Sequence, residues 1–347
     1  MHALILAGGF ATRLWPITKD FPKPLLSLGG KRIIEFVIEG VNMLDNIRRI
    51  YISTNKAFEK TFRRWLEHSE YAKPKSMFKL IVEPTTEEEE KFGAIRGIHY
   101  DISFMLDENF MDDLLIVAGD NVTSLNFKSF VSFYEKVRSP VVAVYEVESL
   151  EAMKKLAEIH IDDSNRITSF IEKPQKPKSR LAATAIYIIP RDMVNLIDTY
   201  LKEGRNPDAP GYFFEWLSKK YDVYAYKFSG YWFDIGSLTG YLSALKSLLT
   251  RSYISPRANV HGKIVDPVYI GDGAEVDSDS RIGPYVIVEE NVKIRNAIVE
   301  SSLLMRHSKI YDSEIYDSMI GSKSNVVGGK IVRSILSSHT KLSIIRE

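Results

Sequence analysis

Residues 4–24 read LILAGGFATRLWPITKDFPKP. The stretch opens as an apolar strand, breaks at Gly8 and Gly9, and then brings Arg13 and Lys23 in quick succession. A short, wholly apolar strand is the mark of a strand covered on both faces, as in the parallel sheet of an α/β domain. Glycines at the end of such a strand let bare backbone approach a ligand, and consecutive amides in a turn form an anion-binding concavity. The stretch has neither the Gly-Lys-Ser/Thr of a P-loop nor the Gly-x-Gly-x-x-Gly of a dinucleotide turn. Arg13 offers a planar fork for phosphate oxygens and Lys23 a compact charge. Pro22 and Pro24 stiffen the backbone on either side of that lysine.

Further apolar strands are expected at residues 49–53, 80–82, 114–118 and 141–147, separated by amphipathic stretches such as Ile33, Ile34, Val37, Ile38, Val41 and Leu44. Strands alternating with helices imply a largely parallel sheet, with ligands held beyond the carboxyl ends of its strands. The Gly8–Gly9 turn and VAGDN (residues 117–121) both fall at such ends.

The last third keeps another rhythm. Ile270, Val276, Ile282, Val288 and Ile294 recur every six residues, with Ala274, Ser280, Val286 and Val292 four positions after the first four. After a shift, Ile298, Leu304 and Ile310 repeat the interval, as do Ile320, Val326 and Val332, and Ile254 with Val260 starts the series. A helix does not hold that period, whereas a parallel β-helix of hexapeptide repeats does, at roughly 18 residues per coil and about four or five coils here. The expected organisation is a catalytic α/β domain over residues 1–235, a linking helix over 236–252 and a β-helix over 253–347.

The chain has 347 residues, no cysteine, and a net charge of +1 from 46 basic and 45 acidic residues. Disulfides, thiolate metal sites and cysteine nucleophiles are excluded. The charge balance speaks against nucleic-acid and membrane-surface partners, so phosphate binding must come from a local site. No apolar run reaches the length of a membrane span and none resembles a signal peptide, so a cytoplasmic protein is expected.

The motifs resemble those of the sugar-1-phosphate nucleotidylyltransferases, the nucleotide-sugar pyrophosphorylases. LAGGFATRLWPITKDFPKPLL is similar to that family's Gly-Gly-x-Gly-Thr-Arg-Leu-x-Pro and Pro-Lys-Pro fingerprint. VAGDN resembles its Gly-Asp-Asn segment, FIEKP (residues 170–174) its Glu-Lys-Pro segment, and YWFDIGS (residues 231–237) its Trp-x-Asp-x-Gly segment. The resemblance implies a Rossmann-like, mostly parallel sheet followed by a left-handed β-helix. It also implies nucleotidyl transfer from a nucleoside triphosphate to a sugar 1-phosphate, with release of pyrophosphate. Carried over residue by residue, Arg13 and Lys23 are the catalytic cations. Leu6, Ala7, Gly8, Gly9, Ala11, Thr12, Arg13 and Gly93 form the nucleotide site. Lys23, Glu172, Lys173 and Thr184 form the sugar-phosphate site, and Asp120 and Asp234 bind Mg2+. Ala11, Ala157 and Ala185 stand where the family often has glycine, and EPTTEEEEKFGAI (residues 83–95) lacks the glutamine that some thymidylyl enzymes use. The base and the sugar stay open among thymidylyl, uridylyl and guanylyl transfer.

Asp120 and Asp234 also suit simple turn capping, and Glu172 with Lys173 an exposed ion pair. The run Glu87 to Glu90 reads as a solvated loop leading into the acidic first turn of the next helix. His261, His307 and His339 leave open an amino-sugar acetyltransferase on the β-helix, and a non-catalytic regulatory relative is a third reading. The repeat segment is expected to build a homo-oligomer through Leu303, Met305 and Met319.

Overall fold

The computed structural model describes residues 1–107 and 112–344. The chain forms two compact units, each discontinuous in sequence: Met1–Gly9 with Ile34–Trp232, and Phe10–Ile33 with Phe233–Glu347.

The first unit is built on a nine-stranded sheet. Its strands are β1 (His2–Leu6), β2 (Arg49–Asn55), β3 (Phe78–Glu83), β4 (Leu114–Ala118), β5 (Val141–Glu146), β6 (Ala157–Ile161), β7 (Ile167–Glu172), β8 (Leu181–Ile189) and β9 (Tyr224–Phe228). The main path runs β7-β6-β8-β4-β1-β2-β3, and β5 pairs with both β8 and β9. β1 is parallel to β2 and β4, and β2 to β3, so the expected parallel sheet is the half that carries the Gly8–Gly9 turn. β8 runs antiparallel to β4, β5 and β6.

Leu4, Tyr51, Ile81 and Ile116 present one face of that half to a helix at Ala94–Asp107, here α1. Ile95, Ile98, Ile102 and Met105 recur along α1 at helical spacing and are buried with them. Each such side chain contributes about 1.5–3 kcal/mol by leaving water. Glu88–Glu90 forms a short turn whose Glu90 carboxylate accepts from the Thr86 amide at 2.8 Å. The acidic run thus closes its own loop and ends before α1 begins, in place of forming the helix's first turn.

In the second unit the hairpin Ser27–Leu28/Lys31–Arg32 meets a helix at Leu238–Leu248, here α3, where helix Pro210–Leu217 of the first unit is α2. Tyr241 Oη donates to Ser27 O at 2.6 Å, and Arg32 Nη1 lies 2.5 Å from Glu289 Oε1. Residues 253–343 form three parallel sheets of six, six and five short strands, the architecture of a left-handed β-helix.

The coils depart from the expected length. Tyr269 pairs with Ile287, but Ile287 pairs with Leu303, Leu303 with Met319 and Met319 with Ile335. Beyond Ile294 the buried aliphatics are Val299, Leu304, Ile310, Ile315, Ile320, Val326 and Ile331, so successive sides take five, five and six residues. Val299 and Ile331 therefore replace the expected Ile298 and Val332 inside, and Val332 is 46% exposed. Serines hold the shortened corners: Ser302 Oγ accepts from Ser318 N and Ser318 Oγ from Ser334 N, each 16 residues on. His307 and His339 occupy corners with φ of 60° and 62°. Leu303, Met305 and Met319, expected on the surface, are buried, because they sit on strands and corners that are covered. Among the described residues of this segment, the exposed large apolar side chains are Tyr253, Ile254, Val332 and Ile344.

Candidate active site

A cavity of about 460 Å3 opens in the first unit at the carboxyl ends of β1, β2 and β3, where the sequence places a ligand. Leu6, Gly8, Gly9, Ser53, Glu83, Phe92, Gly93, Gly97 and Lys173 line it. The turn after β1 is fixed from β2: Ala7 N donates to Ser53 O at 2.8 Å, and Asn55 Nδ2 donates to Gly8 O at 2.9 Å. A Cβ on Gly9 would meet nothing within 4 Å, so the bare backbone faces open space. Gly93 has φ +78°, and a Cβ there would lie 2.8 Å from Pro207 O, so both conformation and space require glycine. The first amides of α1 are spent within the protein: Ala94 N bonds Asp208 O and Ile95 N bonds Pro207 O. The backbone of Gly8 and Gly9 borders the same cavity.

Asp120 follows β4 in the turn that leads to Asn121 and is partly exposed. Asn121 Nδ2 donates to Thr184 O at 2.6 Å, while the Thr184 hydroxyl, fully buried, donates to Ala143 O at 2.9 Å. Thr184 thus braces the segment beside Asp120, with its own hydroxyl engaged inside the sheet. Ala185 has φ +58°, the left-handed conformation that glycine adopts without strain.

Glu172 ends β7, and burial raises its carboxyl above the usual range, with the Lys173 ammonium 3.7 Å away opposing the shift. Gly211 in α2 makes room for it, since a Cβ there would lie within 1.8 Å of Glu172 Oε2. Lys173 has φ +50° and its Nζ lies 5.7 Å from the Tyr212 ring centroid. Of this pair, Lys173 reaches the cavity wall.

The second unit gathers the other half of the fingerprint. Ala11 has φ 51° and ψ 48°, and its carbonyl accepts from Thr18 Oγ1 at 2.9 Å. Arg13 sits in the exposed turn Thr12–Leu14, and its guanidinium lies against Gly236, where a Cβ would be 2.6 Å from Nη2. Gly236 N bonds back to Asp234 O at 2.8 Å, so the segment that shapes Arg13's seat is also the one that carries Asp234. Lys23, at the start of the turn Lys23–Leu25, is only 8% exposed.

Residues 2–251 match the family model described as Nucleotidyl transferase. The chain belongs to this family. Residues 264–343 match a second model, described as GMPPB C-terminal domain. A glucose-1-phosphate adenylyltransferase of Fervidobacterium nodosum is 29% identical, over 91% of this chain and 89% of its own. A Sulfolobus acidocaldarius protein, provisionally a mannose-1-phosphate guanyltransferase, is 29% identical over 83% of this chain and 76% of its own. The crystal structure of UDP-glucose pyrophosphorylase complexed with UDP-glucose superposes with a TM-score of 0.58 at 22% identity, over 71% of this chain and 97% of that one. This last likeness is one of fold.

In this nucleotidyl transferase no group of three or more His, Cys, Asp or Glu among the described residues forms a ready-made metal site. Magnesium commonly takes one or two carboxylates and completes its shell with substrate phosphates and water. The exposed and partly exposed carboxylates of Asp234 and Asp120 fit that mode. No helix of the described residues is long and apolar enough to cross a membrane.

Sequence reasoning missed three residues of the cavity region in this nucleotidyl transferase. Ser53 Oγ lies 2.9 Å from Asp101 Oδ1 and 3.2 Å from Glu83 Oε1. The available signal was Asp101, an aspartate on the otherwise apolar stripe of α1.

Proposed function

We propose that this nucleotidyl transferase acts on a sugar 1-phosphate. An oxygen of the sugar phosphate attacks the α-phosphorus of a nucleoside triphosphate, the bond from that phosphorus to the bridging oxygen breaks, and pyrophosphate leaves. The observation that carries the reading is the glycine-walled cavity at the carboxyl ends of β1, β2 and β3, with Lys173 at its wall. The Gly8–Gly9 turn offers backbone amides to phosphate oxygens. Arg13, seated on Gly236, braces the triphosphate, and Lys23 holds the attacking phosphate. Leu6, Ala7, Ala11, Thr12 and Gly93 shape the nucleotide side, and Glu172 and Lys173 the sugar side. Thr184 acts through Asn121. The attacking phosphate is ionised near neutrality, so no general base is needed, and in-line positioning supplies much of the rate. Asp120 and Asp234 would hold magnesium, which would offset charge on the transferring group.

A cytoplasmic location fits phosphorylated, membrane-impermeant substrates, and the exposed Tyr253, Ile254, Val332 and Ile344 support assembly into a homo-oligomer. Purified chain is incubated with each of five nucleoside triphosphates against glucose 1-phosphate and mannose 1-phosphate, with magnesium, and pyrophosphate release is read. Release that requires one sugar phosphate supports the reading; none with any pair ends it.

A further inference from the structure

Glu83 ends β3 and places its carboxyl against the glycine wall of the cavity. Its Oε1 lies 2.9 Å from where a Cβ on Gly97 would stand and 3.4 Å from one on Gly8. Behind it, the Ser53 hydroxyl lies between Glu83 and Asp101. One hydroxyl carries one proton and donates to one acid only, so the other acid must itself donate to Ser53 Oγ. Asp101 is fully buried and its Oδ2 has no hydrogen-bond partner, an environment that refuses a charge. Burial first, and the neighbouring Glu83 second, push its carboxyl well above the usual range. The direction of the relay follows: Asp101 donates to Ser53, and Ser53 donates to Glu83.

The relay ends on a carboxylate at the cavity wall. Burial raises the Glu83 carboxyl and the Ser53 bond offsets part of that rise. An ionised carboxylate only accepts hydrogen bonds, and it repels a triphosphate chain, so the ligand part it suits is an uncharged donor edge. Among the bases, guanine presents two adjacent donors, N1–H and the 2-amino group. Uracil and thymine show one N–H between two carbonyls, and adenine and cytosine an amino group beside a ring acceptor.

We propose that Glu83 selects guanine among nucleoside triphosphates, accepting from N1–H and the 2-amino group, with Ser53 and Asp101 as the residues that position it. The inference rests on the cavity being the nucleotide site and names the base that site takes.

The test compares GTP with ITP, ATP, UTP, dTTP and CTP on the wild-type chain, by pyrophosphate release and by calorimetric titration. ITP lacks only the 2-amino group, so a preference for GTP of about 10- to 100-fold is expected over it, mostly in KM. Preference over the other bases is expected to exceed about 1,000-fold. Glu83→Gln is expected to collapse the GTP/ITP ratio toward one. Asp101→Ala weakens it, and Asp101→Asn restores it, because the amide N–H donates to Ser53 as the carboxyl did. The GTP/ITP comparison needs no variant and stands if the substituted chains fail to fold. Equal use of GTP and ITP, or preference for another base, overturns the assignment while leaving the proposed reaction standing. Absence of pyrophosphate release alongside tighter binding of GTP than ITP sinks the proposed reaction and supports the assignment.

Discussion

Gly236 and Arg13 share one space: a single methyl group on Gly236 would lie 2.6 Å from Arg13 Nη2. Because the obstructed atom is the end of a flexible side chain, Gly236→Ala is expected to displace the guanidinium and spare the fold. Loss of a positioned cation that stabilises transferring phosphate typically costs about 100-fold or more in kcat. The check is steady-state kinetics beside a thermal melt. Wild-type kinetics in Gly236→Ala, with an unchanged melt, would remove Arg13 from the triphosphate site.

Asp120→Asn and Asp234→Asn are each expected to lower turnover by about 100-fold or more, since a lost carboxylate removes charge compensation realised most strongly in the transition state. Raising magnesium recovers part of the loss if the carboxylate acts as a ligand. A magnesium titration of each variant measures this, and a response identical to wild type in both contradicts the metal assignment.

The Arg32–Glu289 pair joins two segments 257 residues apart, and Glu289 Oε2 also accepts from the Arg306 amide at 3.0 Å. The Glu289 side chain is almost entirely buried. Arg306 Nε also lies 3.9 Å from this carboxylate, so Arg32→Ala removes one of two cations beside it, at an expected cost of about 1.5–3 kcal/mol. Adding Glu289→Gln is expected to return part of it, because the amide is neutral. Urea midpoints of the single and double variants decide the point; equal losses in both indicate that the charge is not the cause.

How much of this was legible in advance follows from what each residue type can do alone. Apolar runs gave β1, β2 and β4 to within a residue or two, because strands buried on both faces have few alternatives. Gly93 came from the resemblance alone, and its φ of +78° beside Pro207 O supplies the physical reason for the glycine. Ala11 and Ala185 show the limit of that argument: both hold left-handed conformations that glycine usually fills, and a methyl is tolerated there. The six-residue period identified the β-helix but misplaced Val299 and Ile331, because a corner serine lets a side of the coil lose one residue while the next aliphatic still points inward. The relay from Asp101 through Ser53 to Glu83 joins three separate elements, and only their packing reveals it.

Asp101 also makes a pH prediction. Its carboxyl is pushed above its unfolded value by burial first and by the Glu83 charge second. The folded chain therefore binds this proton more tightly than the unfolded chain, so stability falls as pH rises from the unfolded value, about 4, toward the folded one. Glu83 and Glu172, also raised by burial, add to the same slope. Asp101→Asn carries no titrating proton yet keeps a donor for Ser53. Between about pH 5 and pH 8, wild type is expected to lose stability relative to Asp101→Asn, by about 1.4 kcal/mol for each pH unit over which Asp101 stays neutral when folded. Urea unfolding of both chains across that interval measures the difference. Parallel stability curves would mean that Asp101 is ionised in the folded chain, and the direction of the relay would then reverse.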